Sequence, residues 1–412
     1  MAFTLPPSVL MAVSQLLITL AFADRSPTTF RLIVVVCLLF QAWDFQNAAA
    51  NAIESRIHLV FLTSFMWIQS LLAFDGLLLF KSYADDQTSS ITRRYQDGQT
   101  KNIPGLRTKP RLFWGFHMAF NSRAIGTPWE TEKIPGWPSD LLEKSSESQS
   151  PTRKSLILRL LRNAILSYLA LDLIALQPPP LPSLIPPDKE SLLHRLPLMT
   201  TEEFTTRLLM ALGCWVNAYA VLIFISSTIY LLHIAIFRLP VEMYPPVWGT
   251  ASSAWSVRQF WGVAWHQTLR RPLSSIASFI AHDILRLPRH GSLVARYLKL
   301  YIAFFISGII HWQSDMMTGI PPEERNAIWF FTANATAIML EDGVQCLTRR
   351  VLGEKSAPWR RYVGYVWVCV WFFYAVPPWL YPSIRYFRYG VDRLFPPALS
   401  VAWRVQGALG KV

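Results

Sequence analysis

The segment SVRQFWGVAWHQ at residues 256–267 gathers polar, titratable and large aromatic side chains between long apolar runs. The side chains of interest are Arg258, Phe260, Trp261, Trp265, His266 and Gln267. In a helix, Arg258, Trp261 and Trp265 share one face, and His266 is adjacent to it. Lipid cannot satisfy the hydrogen bonds of such a segment, so it lies at a membrane surface or lines a cavity walled by protein. An amphipathic interfacial helix with ordinary Trp and Arg anchors is the alternative to a functional site.

Three arginines in and just after this segment are candidates for binding an anionic substrate. Arg258, Arg270 and Arg271 follow a loop rich in Pro, Gly and Trp at residues 244–255. A guanidinium group forms bidentate hydrogen bonds with phosphate oxygens. We therefore expect phosphate groups to bind near these arginines.

A second histidine, His311, ends the run YIAFFISGIIHW at residues 301–312, which carries no charge after Lys299. An ionisable side chain at membrane depth is costly and marks a functional site by default. Burial disfavours the imidazolium form, so the neutral ring is available as a base. Ser307 and the glycine after it allow another helix backbone to approach closely. The alternative is an interfacial histidine at a helix end that is hydrogen-bonded to a carbonyl group.

A third polar patch, FNSRAIGTPWE, lies at residues 120–130 inside a large basic loop. Asn121, Arg123 and Thr127 stand beside a Gly-x-Pro turn and a tryptophan. This pattern predicts a compact, ordered structure, and a plain surface turn is the alternative.

The composition of the chain is that of an integral membrane protein. Of 412 residues, 52% are hydrophobic and 16% are charged, and the mean hydropathy is +0.27. A soluble domain carries about 25% charged residues. The chain contains 17 Trp and 25 Phe residues, as expected for a protein with aromatic belts at the lipid headgroups.

The net charge of +13 comes from basic residues that lie mainly in loops between apolar segments. This distribution favours a membrane orientation signal or an anionic substrate over nucleic-acid binding. The four cysteines are far apart and form no C-x-x-C pair, so neither a disulfide framework nor a metal site is indicated.

Apolar runs of about 20 residues predict an all-α polytopic protein with about seven to nine transmembrane helices. The candidate spans are 8–23, 30–50, 57–80, 155–176, 207–237, 292–312, 327–347 and 362–380. The run 274–287 is too short to span and predicts an interfacial or re-entrant segment. No internal repeat is visible, so we treat residues 1–412 as a single domain.

Two connectors set the predicted orientation. The loop 81–154 carries 12 Lys and Arg residues, whereas the Pro-rich connector 177–205 carries 2. The positive-inside rule places the basic loop in the cytosol and the connector on the opposite side of the membrane.

Taken together, the three patches resemble the wax-synthase-like branch of the membrane-bound O-acyltransferases, especially fungal enzymes that acetylate terpenoid and meroterpenoid alcohols. FNSRAIGTPWE resembles that branch's Asn-x-Arg-x-x-Gly-Thr-x-Trp loop, and SVRQFWGVAWHQ resembles its Arg-x-Phe-Trp-Gly-x-x-Trp-His-Gln segment. FFISGIIHW resembles its Ser-Gly-x-x-His span. The three motifs occur in the family's order, and the resemblance extends from about residue 30 to about residue 380.

The resemblance implies that His311 is the catalytic histidine and that His266 occupies the family's second polar position. It implies acyl-CoA, with acetyl-CoA expected, as co-substrate and no metal or redox cofactor. Acyl-CoA would enter from the cytosolic face, with its phosphates near Arg258, Arg270 or Arg271. An apolar alcohol would arrive from the lipid of the endoplasmic reticulum or from the opposite side.

The remaining substrate-site candidates are Phe260, Trp261, Trp265, Gln267, Asn121, Arg123 and Ser307. Many wax synthases carry Glu after the catalytic histidine, whereas Trp312 stands here, which argues against a long-chain wax product. The alternatives are a long-chain wax-ester acyltransferase, a transporter of small amphiphiles, and a membrane scaffold.

Overall fold

A computed structural model of the chain describes residues 6–24, 26–81, 90–104, 110–142, 150–352, 359–388 and 392. Within these ranges the chain forms thirteen α-helices: α1 (Pro7–Ala23), α2 (Thr28–Ala52), α3 (Arg56–Ala73), α4 (Arg111–Phe120), α5 (Arg153–Ala175), α6 (Leu192–Arg195), α7 (Thr201–Leu231), α8 (Val257–Gln259), α9 (Arg270–Ser278), α10 (Leu293–Met317), α11 (Ala327–Leu352), α12 (Trp359–Ala375) and α13 (Pro377–Arg385). The predicted all-α class is confirmed.

Four helices end in a wider π-helical turn. These turns follow α3, α7, α8 and α9, at Phe74–Leu79, Leu232–Ile236, Phe260–Ala264 and Phe279–Ile284. Such turns occur frequently at functional sites. The turn after α8 lies inside the polar and aromatic segment found in the sequence.

Strands occur once in the described residues, as a hairpin in the basic loop 81–154. Strand β1 (Ser90–Arg94) pairs antiparallel with β2 (Thr100–Pro104). The sequence analysis did not predict this hairpin, because it is short and lies in a polar loop. Parts of that loop, residues 82–89, 105–109 and 143–149, lie outside the described residues.

Each predicted span except 362–380 coincides with a helix or with a helix and its π-helical turn, and 362–380 covers parts of α12 and α13. By length and composition, four are apolar enough to cross a membrane: Thr28–Ala52, Arg56–Leu79, Thr201–Ile236 and Leu293–Met317. The pair Trp359–Ala375 and Pro377–Arg385, bent by 44°, makes a fifth if it is one span. These counts apply to the described part of the chain.

One face of α2 is apolar and exposed. Ile33, Phe40 and Trp43 are exposed, while Val34, Leu38 and others on the opposite face are buried. A soluble protein rarely exposes such a contiguous apolar surface. The chain is therefore an integral membrane protein.

The chain divides into two compact units. The first comprises Met1–Pro135 and Val247–Cys369, and the second comprises Gly136–Pro246 and Val370–Val412. In the first unit, α1 packs on α4, α2 on α3, and α10 on α3, α9 and α11. All candidate catalytic and binding residues belong to this unit. The assignment of residues 1–412 to a single functional domain stays a prediction.

In the second unit, α5 packs along α7, and buried charges hold the Pro-rich connector. Arg207 is fully buried and donates from Nη2 to the carbonyl groups of Lys189 and Glu190, at 2.5 and 2.8 Å. Glu203, which is also buried, accepts two hydrogen bonds from Arg195. These contacts hold the connector in an ordered conformation. Its side of the membrane stays a prediction.

The contact between α1 and α4 depends on a glycine. A Cβ atom at Gly115 would lie 2.0 Å from the carbonyl oxygen of Thr19 and 3.0 Å from the backbone nitrogen of Ala23. Backbone atoms cannot move aside as a flexible side chain can, so any larger residue must separate the two helices.

We expect Gly115→Ala to lower the unfolding temperature of the purified protein in detergent, because it forces α1 and α4 apart. Gly343→Ala in α11 is the matched control, since nothing lies within 4 Å of the added Cβ. The control removes a helical glycine and should leave stability unchanged or raise it by roughly 0.5–1 kcal/mol. Equal unfolding temperatures for Gly115→Ala and the native chain would contradict the close contact.

Candidate active site

The polar segment begins at α8, whose N-terminus is bound by a carboxylate from α11. Glu341 accepts hydrogen bonds from the backbone nitrogens of Val257 and Arg258, at 2.5 and 3.0 Å. It also accepts from Nε1 of Trp367 at 2.7 Å. A carboxylate is favoured at a helix N-terminus because it meets unpaired N–H groups and the positive end of the helix dipole. The start of the segment is therefore fixed to α11.

Arg258 is anchored to the same helix. Its Nε and Nη2 atoms donate to the two carboxylate oxygens of Asp342, at 3.0 and 2.5 Å. Asp342 also accepts from Arg296 and from the Tyr297 hydroxyl. The Arg258 side chain is 37% exposed, and its Nη1 side is not engaged by Asp342. Its role in phosphate binding stays a prediction.

The π-helical turn after α8 places three large rings together. Phe260 stacks on Trp265 with ring centroids 5.3 Å apart, and Trp261 lies 5.9 Å from Trp265. The backbone nitrogen of Trp265 donates to the carbonyl group of Phe260 at 2.7 Å, which closes the wide turn. Trp248 from the preceding loop meets Trp265 edge-on at 4.9 Å.

His266 lies among these rings. Its ring is 5.3 Å from Trp265 and 5.5 Å from Trp248, and Nδ1 is 3.1 Å from the hydroxyl oxygen of Thr268. Burial lowers the pKa of His266 to about 3, and a positive charge on His311 would lower it as well. His266 is therefore neutral at physiological pH.

His311 lies in α10, and its ring stacks on Phe331 of α11 with centroids 4.5 Å apart and planes 12° apart. Phe331 in turn lies 5.8 Å from Trp261. The two histidines are therefore the ends of one chain of contacting rings, which runs His266, Trp265, Trp261, Phe331, His311. We call this chain of rings the aromatic bridge.

A glycine in α10 allows the contact between His311 and Phe331 at one end of the aromatic bridge. A Cβ atom at Gly308 would lie 3.0 Å from Cα of Ile328 and 3.4 Å from Cβ of Phe331. The small residue thus lets α10 and α11 pack closely enough for Phe331 to stack on His311, as the Ser-Gly pair predicted. Ser307, which is half-buried, lies one turn before His311.

The middle of the aromatic bridge is held by a buried amide. Nε1 of Trp261 donates to Oδ1 of Asn334 at 3.0 Å, and Nδ2 of Asn334 donates to the carbonyl group of Phe330 at 2.7 Å. Asn334 is fully buried in α11. This contact fixes the Trp261 ring without a charge.

The sequence analysis did not assign Asn334, Glu341 or Asp342 to the site. A signal was present, because Asn334 and Glu341 are seven residues apart and therefore share one face of a helix. That face also carries Phe331, at the helical spacing of three before Asn334. Asn334 and Glu341, which are polar residues in the apolar helix α11, thus indicated the side of that helix that contacts residues 256–267.

The end of the segment is bound to Lys133, which lies just after the third motif in the chain. Gln267 is buried, its Nε2 donates to the carbonyl group of Lys133 at 2.9 Å, and its backbone nitrogen donates to that of Val247 at 3.0 Å. Arg270 donates from Nη1 to the carbonyl group of Gly262 at 2.7 Å, which braces the π-helical turn. Gln267 and Arg270 therefore hold the shape of the segment.

The third motif is a tight turn, as predicted. Asn121 accepts from the backbone nitrogen of Ile125 at 2.9 Å and donates to its carbonyl group at 2.8 Å. Glu130 accepts from the backbone nitrogen of Gly126 and forms a bidentate ion pair with Arg93 of β1. Arg123, inside this turn, is buried. Lys133, whose carbonyl group accepts from Gln267, lies three residues after this turn in the chain. A contribution of Asn121 and Arg123 to substrate binding stays a prediction.

Arg271 points into the protein interior. Its Nη1 lies 2.6 Å from a carboxylate oxygen of Asp75, and its guanidinium is 4.4 Å from the ring centroid of Phe80. Ser275 donates to the same carboxylate. Both arginines are paired with an aspartate, but Arg271 is buried inside the protein, whereas Arg258 is partly exposed.

Within the described residues no group of three or more His, Cys, Asp or Glu side chains is arranged to hold a metal ion. The site consists instead of the aromatic bridge, which has a histidine at each end, and of charged groups at its border.

Comparison with known proteins agrees with the sequence motifs. Residues 244–333 match the membrane bound O-acyl transferase family, a range that contains both histidines of the aromatic bridge. The chain is 36% identical over 293 residues to acetyltransferase pyr8 of Aspergillus fumigatus, which is 69% of this chain and 67% of pyr8. It is 32% identical over 320 residues to acetyltransferase fsoF of Humicola fuscoatra, covering 72% and 74% of the two chains. It is 29% identical over 292 residues to acetyltransferase aurG of Calcarisporium arbuscula, covering 69% and 68%.

The predicted family is thereby confirmed, and with it the activity class. The chain belongs to the membrane-bound O-acyltransferase family.

Proposed function

We propose that this acyltransferase moves an acetyl group from acetyl-CoA to a hydroxyl group of an apolar terpenoid or meroterpenoid alcohol in the endoplasmic reticulum membrane. The names of its relatives support acetyl as the group transferred. The observation that carries the proposal is the aromatic bridge, which joins His311 in a spanning helix to His266 in the polar segment.

In this proposal the neutral ring of His311 takes the proton of the acceptor hydroxyl. The alcohol oxygen then attacks the thioester carbonyl carbon, and a tetrahedral intermediate forms. Its collapse expels the sulfur of coenzyme A, which leaves as the thiol after His311 returns the proton. General-base catalysis of this kind contributes roughly 10²–10⁴-fold to the rate.

His266 stabilises the intermediate in this proposal. A neutral imidazole carries one N–H group. If the Thr268 hydroxyl donates to Nδ1, the proton stands on Nε2, which then donates to the developing oxyanion. The surrounding rings exclude water, so this hydrogen bond is stronger than in solution and the thioester is protected from hydrolysis.

The coenzyme approaches from the cytosolic side, where we place the basic loop 81–154. Arg258 is best suited to the phosphates because its guanidinium reaches the surface. Arg270 is the next candidate, since only its Nη1 is used in bracing Gly262. Arg271 supports the site from inside through Asp75. The acetyl group and the acceptor hydroxyl meet at the aromatic bridge, with Trp261, Trp265 and Phe260 as its wall.

The central prediction concerns His311. We expect His311→Ala to abolish transfer of a labelled acetyl group from acetyl-CoA to a terpenoid alcohol in microsomes, because the base is lost. The loss should reach at least about 10²-fold at unchanged expression. The exposed His290 provides the control, and His290→Ala should retain activity. Activity retained in His311→Ala would reject the mechanism.

A second prediction separates phosphate binding by Arg258 from its ion pair with Asp342. We expect Arg258→Gln to raise the KM for acetyl-CoA roughly ten- to hundredfold, which is the value of one charge-assisted hydrogen bond, with a smaller effect on kcat. Arg296→Gln is the matched control, because it removes the other guanidinium bound to Asp342. If the two variants change the KM equally, Arg258 acts through Asp342 alone.

A third prediction concerns the pH dependence. Because burial lowers the pKa of His266 to about 3, this ring does not change charge between about pH 5.5 and 8.5. His266→Gln should therefore lower kcat while leaving the shape of the pH–rate profile over this range unchanged. A profile whose acidic limb disappears in His266→Gln would show that His266 titrates during catalysis.

A further inference from the structure

Polar side chains meet inside the membrane-spanning helices where α2, α3 and α10 pack together. Gln46 of α2 and Gln313 of α10 are buried. Oε1 of Gln46 accepts from Nε1 of Trp67 at 3.1 Å and from Nε2 of Gln313 at 3.4 Å. Oε1 of Gln313 accepts from the Ser64 hydroxyl at 3.4 Å. The role proposed for the aromatic bridge does not use this network.

The network ends beside the catalytic histidine. The hydroxyl oxygens of Ser64 and Ser314 are 3.2 Å apart. Ser314 follows His311 by three residues within one continuous helix, so their Cβ atoms are about 5–6 Å apart on one face. Ser307 precedes His311 by four residues on that face. The face of α10 that presents His311 is thus polar over two turns.

The hydrogen bonds of Ser64 are weak. Both of its contacts, at 3.4 and 3.2 Å, are longer than the 2.7–2.8 Å typical of hydroxyl donors. Ser314 donates to the carbonyl group of Ile310 at 3.2 Å. Both serines are half-buried, whereas the two glutamines behind them are closed off. An oxygen atom that approached the two serines would therefore receive a shorter and stronger hydrogen bond than Ser64 now makes.

The surroundings make this polarity notable. The same helices bury an apolar cluster that includes Phe45, Leu59 and Met66. Apolar side chains at positions 46, 64 and 313 would extend this packing with no polar group in lipid. Polar residues within a membrane are costly and mark sites of function. Such side chains also join helices to one another by hydrogen bonds, but the long contacts of Ser64 contribute little to packing, which favours a ligand.

We propose that Ser64 and Ser314 form a subsite for a second oxygen atom of the acceptor, a hydroxyl or carbonyl roughly 6 Å from the hydroxyl that is acetylated at His311. Gln46 and Gln313 position this subsite by fixing Ser64. The inference rests on the proposed function, because it takes His311 as the place of the reacting hydroxyl. It predicts that the acceptor is a polyoxygenated polycyclic alcohol and that an alcohol without a second oxygen atom binds less tightly.

The test uses two bicyclic probes, decalin-1,5-diol and decalin-1-ol, with the full-length protein in detergent. Binding is measured as thermal stabilisation of His311→Ala, which still contains the subsite, and transfer is measured with labelled acetyl-CoA and the native protein. We expect the diol to bind about tenfold more tightly than the mono-ol, as one added neutral hydrogen bond allows. Adding Ser64→Ala and Ser314→Ala should remove this preference and leave mono-ol binding unchanged.

Ser70→Ala is the matched control, since it removes another hydroxyl of α3 that bonds to backbone carbonyl groups. It should keep the preference for the diol. Equal binding of the diol and the mono-ol to His311→Ala would overturn the subsite. An equal loss of affinity for both probes on adding Ser64→Ala and Ser314→Ala would overturn it as well. A preference for the diol without any acetyl transfer would support the subsite and count against the proposed function. Equal acetyl transfer to both probes would count against the subsite and support the proposed function.

Discussion

The site depends on one constraint, that polar groups inside a membrane protein must be satisfied by the protein itself. Helix α11 meets this constraint for the polar segment at three successive points. Asn334 binds the indole of Trp261, Glu341 binds the first N–H groups of α8, and Asp342 binds the guanidinium of Arg258. Each contact pairs a polar atom of the segment with one from this single helix. The segment is therefore held by α11, and α11 also supplies the ring that stacks on His311.

In the proposed mechanism, the aromatic bridge lets two histidines in different elements serve one reaction. Aromatic rings supply rigid walls with little conformational entropy to lose, and the ring pairs add their own attraction. The close approach of α10 and α11 at Gly308 brings His311 to the bridge, and the π-helical turn brings Trp261 and Trp265 to its other side. An acyl group bound there would be shielded from water while it meets a membrane-dissolved alcohol. In that proposal, the bridge both positions the two histidines and shields the thioester from water.

The sequence predicted the helices well because hydropathy is a local property of the chain. The span ending at His311, the polar segment at residues 256–267 and the tight turn at Asn121 were all visible in short stretches of residues. The pairing of Arg271 with Asp75 was not visible in this way. Asp75 and its partners Arg271 and Ser275 are about 200 positions apart in the chain. The use of Glu341 and Asp342 was missed for the same reason, since their partners lie in α8. Local patterns therefore predict which residues are unusual, and tertiary packing decides which of them meet.

The most direct measurement of the central claim is a structure of the protein with a non-hydrolysable acetyl-CoA analogue bound. The account predicts that the acetyl carbonyl carbon lies within about 4 Å of the aromatic bridge, between the rings of His266 and His311, with the coenzyme phosphates toward Arg258. An analogue whose acetyl group lies on a lipid-facing surface, away from both histidines, would contradict the account.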